Sequence, residues 1–564
     1  MTLSLSGSAE FNGKVIEELR VKAKHFEETG IIPTLDACAS VAKSDTLVSS
    51  ELHESLRSAF KRLKDDQAAN PDWHPNTNEM VQDLVHPSMY PLVYGRSRVL
   101  KDEVVGVEDA VEKWAGKGDV IDKDTWEHDP QRNRLNYGVG SGAVPPNFWS
   151  ATYQWLPSNV AFQEDGTVRF TSYINNLHPV KYAEVYRTIE KLITVALPAW
   201  DQCLAVATRY DSTEGAGRTE TRIGYPNEPD DENPENWIPS DPQVFADKEI
   251  DWDKEDDDYD PEWDDETTKK WELLRKPRIP EVPFQKISYT PSEHMKLLNK
   301  FKESGLQIIV KLASIELTPE KPDFPAGGWH VEGQMNEHIA GTALYYLDSE
   351  NVTSSNLSFR MQTDAYLNEV IEVGQDMYHW LEHIYGTDLS TDGPCLQSYG
   401  SVETRQGRLL AFPNVFHHRV SPFSLIDKTK PGHRRFIALW LVDPHQRVIS
   451  TANVPPQQQD WWLESTFGST TQSRQAAISK VPPELVNLVQ EQLADVDTTI
   501  ALQGKLPPEL MEMVRGHFNA GKHTLPMSVE EAREHRLKLM EERGAFVQET
   551  KDSWYSHSYS FCEH

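Results

Sequence analysis

The chain has 564 residues and a formal net charge of −32, which argues against a nucleic-acid partner held by neutralised phosphates. Its 16 Trp and 19 Tyr argue equally against a chain that stays unfolded. Cys38, Cys203, Cys395 and Cys562 show no CxxC spacing, so neither structural zinc nor a disulfide framework is expected, and a reducing compartment fits better.

The opening residues lack the basic start and apolar core of a signal peptide, and no run approaches the ~18 apolar residues of a membrane span. The expectation is an intracellular protein, cytoplasmic or nuclear, with no membrane partner. Residues from Glu10 to Lys64 read as helices, with apolar positions three and four apart from Leu47 to Leu63. His86-Pro-Ser-Met-Tyr-Pro-Leu-Val-Tyr94 and the following Gly-Arg-Ser-Arg98 read as an ordered loop on aromatic anchors, with Arg96 and Arg98 in surface ion pairs.

Phe148 to Leu156 and Val168 to Ile174 are strand-like, and Val180 to Leu197 is an amphipathic helix. Between them Asn175, Asn176 and His178 crowd polar groups into an apolar context, where buried amides must find hydrogen bonds. The composition changes at Asp211: Glu228 to Glu266 carries 19 acidic residues against Lys248 and Lys254. Such a run buries little, so residues 211–283 are expected to be a solvated, partly disordered insertion. Trp237, Trp252, Trp263 and Trp271 suggest that parts of it lie down on the body.

Gln307 to Leu317 alternates in strand fashion and leads through Gly327-Gly-Trp-His-Val-Glu-Gly333 into a His-x-Glu turn. Thr342 to Leu347 and Leu357 to Met361 follow as strands, with a helix near Met377 to Tyr385, then Gly407-Arg-Leu-Leu-Ala-Phe-Pro413, Phe416-His-His-Arg-Val420 and the strand Arg434 to Leu441. Short strands with turn signals suggest an α+β protein whose core is an antiparallel jelly roll, the double-stranded β-helix, with large helical N- and C-terminal additions. The expected divisions are a mainly helical 1–145, a core of 146–210 with 284–450, the insertion 211–283, and a helical extension 451–564. In that extension Pro483 to Leu493, Pro507 to His517 and Ser528 to Arg543 read as helices, the last opened by the capping box Ser528-x-x-Glu531.

A His-x-Glu pair followed by a distal His between strands has the spacing of a facial triad: two imidazoles and one carboxylate hold Fe(II) and leave positions open for a co-substrate and oxygen. The candidate ligands are His330, Glu332 and His418, with His417 in reserve downstream and His338 upstream. Arg434 or Arg435 is placed to take a planar carboxylate two-pronged. Since neighbours on a strand face opposite ways, only one of them points inward.

Gly407-Arg-Leu-Leu-Ala-Phe412, His418-Arg-Val420 and Gly432-His-Arg434 through Trp440 resemble the second half of iron and 2-oxoglutarate-dependent oxygenases such as prolyl hydroxylases. That resemblance implies His418 as the distal ligand, Arg434 as the holder of 2-oxoglutarate, and O2-dependent oxidation, most simply hydroxylation, of a small-molecule or amino-acid-like substrate. Two departures stand out: Glu332 replaces the commoner Asp, and Ser424 to Lys430 lengthens the interval before Arg434. More widely, Tyr90-Pro-Leu-Val-Tyr-Gly-Arg-Ser97, Gln154-Trp-Leu-Pro-Ser158, Ser172 to Pro179, Leu317-Thr-Pro-Glu-Lys-Pro322, Trp329-His-Val-Glu-Gly333 and Asn336-Glu-His338 resemble a largely fungal family, domain-of-unknown-function 4246. The alternatives are an Fe(II) oxidase that uses no 2-oxoglutarate, and a jelly-roll binding protein that holds metal without turnover.

Overall fold

The computed structural model describes residues 9–35, 40–123, 146–205, 217, 233–249, 266–278, 287–363, 389, 393–467, 472, 526–555 and 558–559. The helices expected near Met377, Pro483 and Pro507 lie outside them, as do Cys38, Cys562, Trp252 and Trp263.

The architecture is mixed helix and antiparallel sheet. The first region is helical at α1 (Ala9–Thr29) and α2 (Ser50–Asp66), but between them β1 (Ile32–Thr34) and β2 (Val41–Ser44) join the main sheet. Helical periodicity in the flanks hid these two short strands. Six more strands of that sheet are β3 (Val81–Val85), β4 (Ser158–Phe162), β5 (Val168–Phe170), β6 (Leu306–Leu317), β8 (Ile339–Glu350) and β11 (Leu409–Pro413), and the ninth is β14 (Gly432–Val442). Their order is β1-β2-β11-β8-β14-β6-β4-β5, with β3 also on β6. A smaller layer holds β10 (Leu396–Glu403), β9 (Asn356–Gln362) and β12 (His417–Val420) in that order, and beside them β7 (Asp323–Phe324) pairs with β13 (Phe423–Ser424). From β6 to β14 the chain passes back and forth between the two layers.

Alternation along the long strands sorts their side chains into two cores. One face of β14 gives Ile437, Leu439 and Leu441 to a cluster with Ile189, Ile193 and Trp200 of α3 (Ala183–Leu204) and with Leu56 and Phe60 of α2. The other face gives Ala438 and Trp440, which meet Phe359 of β9, Phe412 of β11 and Phe416. This second core lies between the layers. It is closed on another side by α4 (Val529–Tyr555), whose Ala532 and Leu539 belong to it. Ser528 caps α4 through the Glu531 backbone N–H at 3.2 Å, while the Glu531 carboxylate takes Arg96 at 2.6 and 3.0 Å. Arg96 is thus a buried partner of the C-terminal helix and not a surface residue.

Within the acidic stretch, residues 233–249 and 266–278 carry local structure. Trp237 and Trp271 are both buried, and the Arg275 guanidinium lies 3.9 Å from one ring centroid and 4.3 Å from the other. Pairing of Trp237–Ile238 with Lys276–Pro277 and the Trp271 Nε1–H bond to the Pro239 carbonyl, at 2.6 Å, add to this local packing. Replacing Glu228 to Glu266 by a short Gly-Ser linker removes Trp237 and leaves Trp271 and Arg275 without it. Because this packing joins residues of the stretch to one another, the main melting transition of the body is expected to move by less than about 2 °C, the low end of the shift that 1 kcal/mol gives in a domain of about 150–250 residues. A larger fall in a calorimetric scan would mean that the stretch braces the body.

Among the described residues no helix is long and apolar enough to cross a membrane.

Candidate metal centre

The turn after β7 is tied to β12 before any side chain is considered. The His330 N–H donates to the His418 carbonyl at 3.2 Å, and the His418 N–H returns to the His330 carbonyl at 2.9 Å. This two-way bridge fixes the two histidines opposite one another, with ring centroids 4.4 Å apart. Asn414, in the turn between β11 and β12, holds Glu332 at both backbone groups: its Oδ1 accepts from the Glu332 N–H and its Nδ2 donates to the Glu332 carbonyl, each at 2.9 Å. The Asn414 Nδ2 also reaches the Ile339 carbonyl at 3.1 Å, tying the turn to β8.

The outcome is one cluster. His330, Glu332 and His418 each offer a ligand atom within 4.8 Å of the others. Glu332 Oε1 is the common centre, 3.4 Å from His418 Nε2 and 3.9 Å from His330 Nε2. Burial pushes the Glu332 carboxyl up, but the hydrogen bond from His418 and the charges of His330, His418 and Lys311 outweigh it and hold the group at about 2. The carboxylate is therefore ionised across the physiological range, as a ligand must be. With side-chain exposures of 38% for His330, 13% for Glu332 and 4% for His418, the centre opens on the His330 side.

The other ring nitrogens decide what these imidazoles can do. His330 Nδ1 donates to the Gly328 carbonyl at 2.9 Å and His418 Nδ1 to the Phe416 carbonyl at 3.3 Å. A carbonyl only accepts, so Nδ1 carries a proton in each ring and Nε2 is the nitrogen left to face Glu332, free for a metal once it gives up any proton shared with that carboxylate. That is the arrangement a metal-binding histidine needs.

Neither reserve ligand joins the cluster. His417 points to the opposite face of the small layer, accepts from Arg360 Nη2 at 3.3 Å and stacks on Trp554 with centroids 3.8 Å apart. His338 sits against Trp149. The two arginines divide as strand parity requires. Arg435 pairs with Asp348 at 3.4 Å on the outer side, whereas Arg434 is 3% exposed, donates to Ser355 Oγ and to the Thr353 carbonyl, and lies over the Phe423 ring at 4.1 Å. Among the described residues Arg434 has no carboxylate partner, and its Nε has no acceptor.

A second group, His74, Asp83 and His86, also brings its donor atoms within 4.8 Å, and neither the spacing nor the composition singled it out. His74 Nδ1 donates to Asp83 Oδ2 at 2.7 Å. His86, however, accepts at Nδ1 from the Ser88 N–H at 3.1 Å, so its proton lies on Nε2 and that nitrogen has no lone pair for a metal. The two clusters share a donor set and differ in tautomer. Burial drives the His86 imidazole well below its ordinary range against the pull of Asp83, so the native state keeps it neutral while the unfolded chain gains a proton below about 6.5. Its stability contribution is complete above that value and falls as the pH drops through it, by about 1.4 kcal/mol per further unit. Urea midpoints at pH 7, 6 and 5 are expected to show this slope in the parent and a shallower one in His86→Gln.

The chain belongs to the family described as "Protein of unknown function (DUF4246)", which matches residues 10–465. No curated protein matches it. Solved structures similar to parts of it include a bsmA homolog (Mpe_A2762) from Methylobium petroleophilum PM1, 13% identical over 29% of this chain and 57% of that one with a TM-score of 0.16. The Fe(II)/(alpha)ketoglutarate-dependent dioxygenase TqaL is 15% identical over 29% and 60%, with a TM-score of 0.15. AviO1 from Streptomyces viridochromogenes Tue57 is 14% identical over 25% and 54%, with a TM-score of 0.14. This chain therefore spans little more than half the length of each.

Proposed function

We propose that this protein is a non-haem Fe(II)/2-oxoglutarate-dependent oxygenase with a double-stranded β-helix core, acting on a small-molecule or amino-acid-like substrate. The observation that carries the reading is the pair of imidazoles whose Nδ1–H groups are committed to backbone carbonyls and whose Nε2 atoms converge on one ionised carboxylate oxygen. The alternation of β6 to β14 between two layers supports the fold.

His330, Glu332 and His418 would hold the ion on one face, the donor set of the two-histidine, one-carboxylate oxygenases. When bound, Fe(II) supplies the redox chemistry by which 2-oxoglutarate, O2 and a substrate C–H give succinate, CO2 and a C–OH. The chain's own residues bind and orient. Asn414 keeps the Glu332 backbone in register, the backbone bridge fixes the imidazoles, and Arg434 takes the distal carboxylate of 2-oxoglutarate in an enclosed place where a charge-assisted pair is strong. Phe359, Phe412 and Phe416, around His418, keep water from the inner side.

The test is the anaerobic complex followed by turnover. Protein reconstituted with Fe(II) is expected to develop a metal-to-ligand absorption band with 2-oxoglutarate and, once O2 is admitted, to release succinate. Succinate separates this reading from an Fe(II) oxidase that uses no 2-oxoacid and from a metal-holding binding protein; its absence with the ion bound would refute the reading.

A further inference from the structure

We propose that Lys311 and His86 form a two-donor anchor for a carboxylate on the primary substrate, so that the site takes organic acids. The inference rests on the oxygenase reading above and adds the substrate class.

Lys311 stands mid-strand in β6, opposite Ala438 of β14, and opposite residues of an antiparallel pair share a face. Ala438 and its neighbours Phe436 and Trp440 face the space between the layers, so Lys311 does too, with Nζ 5.8 Å from the Phe436 ring. From there its charge acts on both clusters, on His330 and Glu332 and on Asp83 and His86. Yet Lys311 has no ion pair or hydrogen bond among the described residues, and a half-buried ammonium without an anion is costly. His86 adds a neutral donor. Its Nδ1 is spent on Ser88 and its Nε2–H finds no acceptor among the described residues, while Asn176 fixes its backbone by donating to the His86 carbonyl at 2.8 Å.

Charge selects the ligand. Asp83 accepts from His74 at 2.7 Å, and Arg536, 3.8 Å from it, is held more closely by Asp72 at 2.9 Å. Lys311 is left as a cation without an ion-pair partner among the described residues, and with the neutral His86 donor it suits a monoanion with two acceptor oxygens. A phosphate dianion would keep an unpaired charge beside Asp83. The co-substrate is a poor occupant, because Arg434 pairs with Ile315 of β6, four residues on from Lys311, or about 13 Å at the rise of an extended strand. One carboxylate cannot serve both cations.

The probe is a set of matched acids and amides, hexanoate, benzoate and N-acetylalanine against their primary amides, added to the anaerobic Fe(II)–2-oxoglutarate complex and read by the perturbation of its absorption band. The acids are expected to act at concentrations at least tenfold below their amides. Lys311→Gln should erase that preference and Lys311→Arg keep it, His86→Leu should weaken it, and 2-oxoglutarate affinity in Lys311→Gln should stay within twofold. The inference is overturned if acids and amides act alike, if neither series acts, or if Lys311→Gln weakens 2-oxoglutarate tenfold, which would make Lys311 the co-substrate's partner. Absence of the band before any acid is added strikes the oxygenase reading instead. The same paired series, read as thermal stabilisation of the metal-free protein with and without Lys311→Gln, then decides the anchor by itself.

Discussion

Glu332→Gln protein should fold, bind Fe(II) at least about 100-fold more weakly than the parent and form no succinate. Loss of residues that merely orient a metal ligand already costs 10–100-fold in affinity or activity, and Glu332 is the one charged donor of the group. The substitution keeps size and shape, and the backbone grip of Asn414 on residue 332 does not depend on the side chain, so the turn should survive. Without a metal, the two Nε2 atoms and the carboxylate oxygen at 3.4 and 3.9 Å need a positive charge among them, and a proton on an imidazole is the available one. Metal uptake therefore displaces a proton, and apparent affinity should climb as the pH rises through the imidazole range. Isothermal titrations in buffers of different ionisation enthalpy would count that proton. A Glu332→Gln protein with undiminished Fe(II) affinity would remove the carboxylate from the ligand set.

How far the site was legible follows from the range of the interactions involved. His330, Glu332 and His418 lie together, and their order between strand-like runs was the clue; the inward face of Arg434 follows from two-residue alternation counted back from Trp440. Other features depend on contacts that no local pattern carries. Lys311 sits in a strand whose alternation was plain, but that it faces the space between the layers, opposite Ala438, depends on the pairing of β6 with β14. His86 opens the segment read as a loop on aromatic anchors and Asp83 lies just before it in β3, and their place beside Lys311 depends on β3 joining β6. Asn414 had a signal, an amide directly after the Pro413 that ends a strand, and its partner Glu332 was distant in sequence. Acidic composition concealed the Trp237–Arg275–Trp271 stack, because a single guanidinium between two indoles organises a short unit that average hydropathy does not register.

Arg434→Ala should weaken 2-oxoglutarate by about 2 to 5 kcal/mol, the range for truncating one member of a buried charge pair, while Arg435→Ala leaves it nearly untouched. The two guanidiniums are adjacent in sequence and face opposite environments. Arg435 has Asp348 at 3.4 Å and a side chain 19% exposed, so its removal frees an anion that His433, at 3.2 Å, and Arg57, at 3.5 Å, still serve. Arg434 is enclosed with Ser355, the Thr353 carbonyl and the Phe423 ring, all of them neutral, and burial lowers its guanidinium against the pull of Tyr346. A cation so placed lacks the charge that would repay its desolvation, and the distal carboxylate of the co-substrate would supply it. The free protein carries that cost and the complex does not, so Arg434→Ala should lose co-substrate affinity while losing less stability than a paired buried arginine would. Titration of the anaerobic Fe(II) complex with 2-oxoglutarate, run beside urea unfolding of the same variants, reads both quantities. Parent-like titration of Arg434→Ala would leave the buried guanidinium a purely structural role and return the co-substrate's carboxylate to another cation.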